Sequence, residues 1–140
     1  MKKAIKLIAL SLVLVMAVLA LASCAAPNAD PDKAEAALKD NDYKVQKYEG
    51  KISTGFISLA IGEDVDCAIT AEKYDDEKET MEFLCVLYFE EASDADDAWE
   101  KAQEYAEDQK DDDAKDSDWV VEKSGKMIWF GTKNAVKAAA

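Results

Sequence analysis

The spacing of hydrophobic and polar positions changes along this chain, and each change of period predicts an element. Leu7 to Leu21 is apolar except for Ser11 and fades into small residues up to Ala26. That run of about 20 residues is long enough to span a bilayer as a helix. Asp30-Pro31 then opens a short helix, with Asp30 at the N-cap, Pro31 at the first helical position and Asp32 in the first turn. Ala34, Ala37 and Leu38 share one face of it, and Asn41 suits its exit. Tyr43 to Tyr48 alternates as a strand does, with Tyr43, Val45 and Lys47 on one side. From Gly50 to Gly62 the apolar residues Phe56, Ile57, Leu59, Ala60 and Ile61 follow no clean period. This stretch reads as a short helical turn or an irregular segment packed on the core.

Two strand-like runs follow, Val65 to Tyr74 and Met81 to Glu90, around the charged turn Asp75-Asp76-Glu77-Lys78-Glu79. A symmetric hairpin pairs Cys67 with Cys85, Ile69 with Phe83, Ala71 with Met81 and Val65 with Leu87, all on one face. The other face carries Asp66, Thr70, Glu72 and Glu82, but also Leu84, Val86 and Tyr88. The second strand is therefore apolar on both sides, which predicts a central place in its sheet. Ser93 is an N-cap candidate for a helix over 93–110, with Asp94, Asp96 and Asp97 in the first turn. Ala95, Ala98, Trp99, Ala102, Tyr105 and Ala106 make its apolar stripe. Asp111 to Asp118 is a charged loop. Trp119 to Lys123 and Lys126 to Phe130 flank Ser124-Gly125 as a last hairpin. Gly131-Thr132 ends that strand, and Thr132 is placed to cap a short helix through Lys137. The sum is an α+β fold: an antiparallel sheet of four to five strands, the long helix on a face, short helices near both ends, and helices largely on one side of the sheet.

The ends of the first apolar run change its meaning. Lys2, Lys3 and Lys6 precede it, Ala-Ser-Cys-Ala-Ala closes it, and no basic stop-transfer cluster follows. Leu21-Ala22-Ser23-Cys24 resembles the lipobox of bacterial lipoproteins, where cleavage precedes a cysteine that then carries diacylglyceryl lipid. The resemblance implies a cleaved signal peptide over residues 1–23, lipid on Cys24 with a tether through residue 30, and one domain over 31–140. It also implies a place on the extracytoplasmic face of the cell membrane. A retained membrane anchor is the alternative, and it too puts the domain outside the cytoplasm. The tail, a strand-turn-strand into Phe-Gly-Thr and an Ala-Val-Lys helix, resembles that of small uncharacterised lipoproteins of Gram-positive bacteria over residues 80–138. That resemblance bears on architecture and location, and carries no activity with it.

Composition narrows the function. The chain holds 17 lysines, no arginine, no histidine and 30 carboxylates, for a net charge of −13. Without the three lysines of the leader, 14 remain against 30, a net −16. Nucleic acid is excluded as a partner, because phosphate contacts need clustered Lys or Arg. Flat docking of so acidic a domain on an anionic lipid surface is disfavoured as well.

Four groups of residues are candidates for chemistry. Cys67 and Cys85 are an even pair in an oxidation-permissive compartment, and the symmetric register places them to bridge; the alternative is two buried thiols filling core space. Asp111, Asp113, Asp116 and Asp118 offer oxygen ligands to calcium, although Lys115, the missing turn glycine and the missing closing glutamate depart from the EF-hand pattern. Ser53, Ser58, Ser93, Ser117 and Ser124 have no histidine to act as their base. Trp119, Trp129, Phe130, Tyr88 and Tyr48 either present an aromatic binding surface or fill a strand buried on both sides. The expectation is a non-enzymatic interaction or accessory domain with no cofactor, anchored by lipid, with a protein or small molecule as its partner. A small-ligand or cation binder is the first alternative, and an enzyme of unrecognised type the second.

Overall fold

The structure is a computed structural model that describes residues 25–110 and 118–140. Its elements run α1 (Pro31–Asp40), β1 (Lys44–Glu49), α2 (Gly50–Ile61), β2 (Cys67–Asp75), β3 (Thr80–Tyr88), α3 (Ala92–Gln109), β4 (Trp119–Ser124), β5 (Met127–Thr132) and α4 (Lys133–Ala138). The five strands form one antiparallel sheet in the order β1-β2-β3-β5-β4. The fold is α+β, and β3 lies at its centre as its two-sided apolar pattern requires.

Helices cover both faces of the sheet, not largely one. On the first face, Cys67, Ile69, Ala71, Leu84, Val86, Tyr88, Met127 and Trp129 pack with Ala34 and Leu38 of α1 and Ala135 and Val136 of α4. On the second, Ala68, Cys85, Leu87, Ile128 and Phe130 pack with Ile57 and Ile61 of α2 and with four alanines of α3. The reason is visible in the strands: Leu84 to Tyr88 and Met127 to Phe130 are buried without a break, so neither face can be left to water. Burying a side chain such as Leu38 or Ile69 contributes about 1.5–3 kcal/mol, and a face left open would forfeit several of these.

The first hairpin departs from the symmetric register. Cys67 pairs with Tyr88 and Thr70 with Cys85, a shift of three positions that exchanges the faces. The turn fits this register. Asp75 Oδ1 accepts the backbone N–H groups of Glu77 (3.0 Å) and Lys78 (3.2 Å), so Asp75 closes the strand opposite Thr80, and Glu79 takes a left-handed φ of 53°. In the last hairpin the turn is Gly125-Lys126, one residue later than expected, with Ser124 opposite Met127. That moves the pairing by two, so Trp119, Val121, Ile128 and Phe130 still share a face.

Three smaller expectations are corrected. Gly50 to Ile61 is a full helix closed by Gly62 in the left-handed region, φ 75°. The N-cap of α3 is Glu91, not Ser93, whose hydroxyl sits 3.4 Å from the Glu91 carboxylate. Gly131 and Thr132 belong to β5. The Thr132 hydroxyl makes no cap bond to α4; it donates to the Phe83 carbonyl and accepts the Phe83 N–H.

Residues 25–28, part of the stretch expected as a tether, pack on the fold. Ala25 packs on the first-face core and Pro27 is buried. The Asn28 N–H donates to Ala139 O at 2.8 Å, and Tyr88 Oη donates to Asn28 O at 2.8 Å. Asp30 then caps α1 by accepting the Asp32 N–H. Among the described residues no helix is long and apolar enough to cross a membrane.

Candidate functional site

A cleft lies at the end of the sheet away from residues 25–28. It has a volume of about 450 Å³ and is built from four segments: the β2–β3 turn, the start of β3, the start of β4 and the junction of β5 with α4. Met81 and Trp119 contribute apolar lining, Glu82 and Asp118 carboxylates, and Lys78, Lys133 and Lys137 ammonium groups. Three of the 17 lysines line this cleft against two carboxylates, so its lining carries one net positive charge in a chain of net charge −13.

The walls are held by packing and hydrogen bonds. Trp119 stacks on Phe83 with ring centroids 6.2 Å apart and planes 6° apart, and Phe130 lies 6.3 Å from Trp119. Glu82 is fixed through both carboxylate oxygens, one accepting from Tyr43 Oη and the other from Asn134 Nδ2 at 2.9 Å. Burial, and then the adjoining Glu82 carboxylate, push the Tyr43 phenol up from its ordinary value. Glu82 therefore joins the start of β1, β3 and α4, and its oxygens are committed to that task. The lining thus combines lysines, carboxylates, an indole, and the amide and hydroxyl groups of Asn134 and Thr132, offering both hydrogen-bond donors and acceptors.

The residues singled out from the sequence do not converge here. Cys67 and Cys85 lie on opposite faces of the sheet as free, buried thiols, so the expected bridge within the hairpin is corrected. Burial pushes Cys85 up to about 12; burial and then the nearby Glu49 carboxylate push Cys67 up to about 11. Both are thereby unreactive at neutral pH. Asp111, Asp113, Asp116 and Ser117 lie outside the described residues, as do Cys24 and the leader. Asp118 is exposed at the cleft rim. Among the described residues no group of three or more His, Cys, Asp or Glu side chains is arranged to hold a metal ion. Ser58 accepts the Val65 N–H at 3.0 Å and ties α2 to the chain that follows it.

The aromatic set forms no open platform. Trp129, Phe130 and Tyr88 are buried, while Trp119 and Tyr48 are half-buried. The cleft itself was not legible as a motif, because its residues come from four separated segments; the one signal was Lys133, Asn134 and Lys137 following the last strand. Compared with known proteins, the chain matches no family model, no curated protein and no solved structure.

Proposed function

We propose that this chain is an exported lipoprotein, cleaved before Cys24 and held by lipid on that residue at the extracytoplasmic face of the cell membrane, whose domain acts by binding and not by catalysis. The observation that carries the reading is Leu21-Ala22-Ser23-Cys24 at the end of the apolar run, followed at once by a segment that folds onto the domain from Ala25. Each buried methylene contributes about 0.8 kcal/mol, so two or three acyl chains anchor firmly. With residues 25–28 packed near the Glu49–Cys67–Tyr88–Met127 row, the lysine-lined cleft sits at the far end of the sheet, directed away from the anchor.

Feeding cells an alkyne fatty acid tests the anchor. The mature protein should take up label at Cys24, and Cys24→Ala should lose it; label retained in Cys24→Ala, or an unprocessed wild-type chain, refutes the reading. A second reading, favoured by the three lysines of the cleft, is a receptor for small carboxylated ligands. A ligand at a hundredfold excess over its Kd raises stability by about 2.7 kcal/mol. Thermal unfolding against a panel of small organic acids should show such a shift, and Lys133→Ala with Lys137→Ala should abolish it.

A further inference from the structure

α2 is apolar on two opposite sides. Thr54, Ile57 and Ile61 are buried against the sheet and α3, whereas Ile52, Phe56 and Leu59 are 100%, 60% and 86% exposed. At roughly 100° per residue these three fall within an arc of about 60° opposite the buried set. The helix has no acidic residue in its twelve positions, in a chain with 30, and its single charge is Lys51. Its location adds a second observation. α2 starts directly after Glu49, which pairs with Cys67, which pairs with Tyr88, the residue whose hydroxyl holds Asn28. Ala25–Asn28 therefore sit at the same end of the sheet at which α2 begins, with α2 on the second face and Ala25 on the first.

We propose that the Ile52–Phe56–Leu59 face of α2 rests in the interfacial region of the lipid bilayer and fixes how the domain sits on the membrane. The proposal rests on the reading that Cys24 carries lipid, since the bilayer then lies one residue from Ala25. An amphipathic helix lying in the interface sinks its apolar side chains by about 5–10 Å, to the boundary of headgroups and acyl chains. The acidic remainder of the surface is repelled by anionic headgroups, which leaves the acid-free helix as the face able to approach. A second copy of the chain is the weaker occupant. Three side chains fall well short of the roughly 800 Å² per partner that a stable dimer buries, and pairing would bring together two bodies that each carry strong negative charge.

The test uses the full chain, purified from membranes with its anchor and reconstituted into phosphatidylcholine vesicles with and without phosphatidylglycerol. Leu59→Cys carries an environment-sensitive fluorophore, since Cys67 and Cys85 are buried; Glu104→Cys, on the exposed side of α3, is the control. The expected result is a blue-shifted emission at position 59, quenched by spin-labelled lipid several-fold more than at position 104. Equal quenching at both positions, in protein that floats with the vesicles, overturns the proposal and leaves the anchor standing. Energy transfer between labels at position 59 that rises with protein density assigns the face to a second copy and also overturns it. Protein that fails to float, with no lipid mass on Cys24, overturns the anchor and the proposal together. The Ile52→Ser/Phe56→Ser/Leu59→Ser chain gives an independent readout: it should keep its melting temperature and its flotation, while a label at position 104 rotates more freely than in the wild type. An unchanged rotation would speak against the proposal.

Discussion

Among the described glycines, Gly131 leaves the least room for an added atom. It lies in β5 beside β3 with φ 152°, and a Cβ there would stand 2.1 Å from the Phe83 carbonyl oxygen and 2.8 Å from Leu84 Cα. Both neighbours are backbone of the central strand, so neither can swing aside. Gly131→Ala should cost more than about 3 kcal/mol, or prevent folding, as read by urea denaturation. The two cysteines make a different prediction. A thiol kept neutral by burial binds its proton in the fold up to a pH at which the unfolded chain has already released it. For Cys85, raised from 9.0 to about 12, and Cys67, raised to about 11, stability is full below pH 9 and falls as pH rises from there toward the folded values. The slope approaches about 1.4 kcal/mol per pH unit for each thiol. The denaturation midpoint of the wild type should therefore fall more steeply between pH 9 and 11 than that of Cys67→Ala/Cys85→Ala. In non-reducing conditions both thiols should alkylate on unfolding and resist alkylation in the native state.

Among the helices, α3 shows most directly how composition sets distance. Ala95, Ala98, Ala102 and Ala106 are all fully buried, and they let the helix lie close on Ile128 and Phe130 while Trp99 and Tyr105 cover its flanks. Tyr105 meets Phe130 edge to face with ring centroids 5.9 Å apart. Ala102→Leu should cost about 1–3 kcal/mol by forcing the layers apart. Glu104→Leu, on the exposed side, should stay within about 0.5 kcal/mol of wild type; equal effects in denaturant titrations would refute the close-packed layer. Most elements could be read from the sequence at this scale: α1 with its Asp30 cap, the alternation of β1, the central β3 and the stripe of α3. α2 could not, and its missing period is explained by what it does. A helix that is apolar toward the core at Ile57 and Ile61 and apolar toward the outside at Ile52, Phe56 and Leu59 has no one-sided stripe to detect.

For the whole molecule, charge is the dominant variable. A net −13 spread over a small body makes it repel itself, so screening should stabilise it. The melting temperature should rise with sodium chloride and level off as the Debye length falls toward about 3 Å near 1 M. Calcium matched to sodium in ionic strength separates this from a site at Asp111–Asp118: an equal response means screening, and a saturable, calcium-selective rise means dedicated ligands. Local ion pairs are a smaller matter. Lys47 is held by Asp32 at 2.5 Å, Glu35 at 3.1 Å and Glu49 at 3.2 Å, which pins α1 to β1, and such pairs near the surface contribute little each.

What the sequence determined alone is whatever depends on neighbours in the chain: the periods of the strands, the cap of α1, the alanine stripe, the central position of β3 and the α+β class. The faces of the last hairpin survived a misplaced turn, because a shift of two preserves side-chain direction. The first hairpin did not survive its shift of three, and with it went the expected Cys67–Cys85 bridge. The turn that closes this register has the Asp75 carboxylate folded back on Glu77 and Lys78, which a count of residues in the turn does not contain. Tertiary structure alone decided that helices cover both faces, that residues 25–28 are docked, that Glu82 is clamped by Tyr43 and Asn134, and that lysines from two segments share a cleft. Each of these joins groups far apart in the chain, and pairing at such separations is set by the shapes and charges that meet when the layers close.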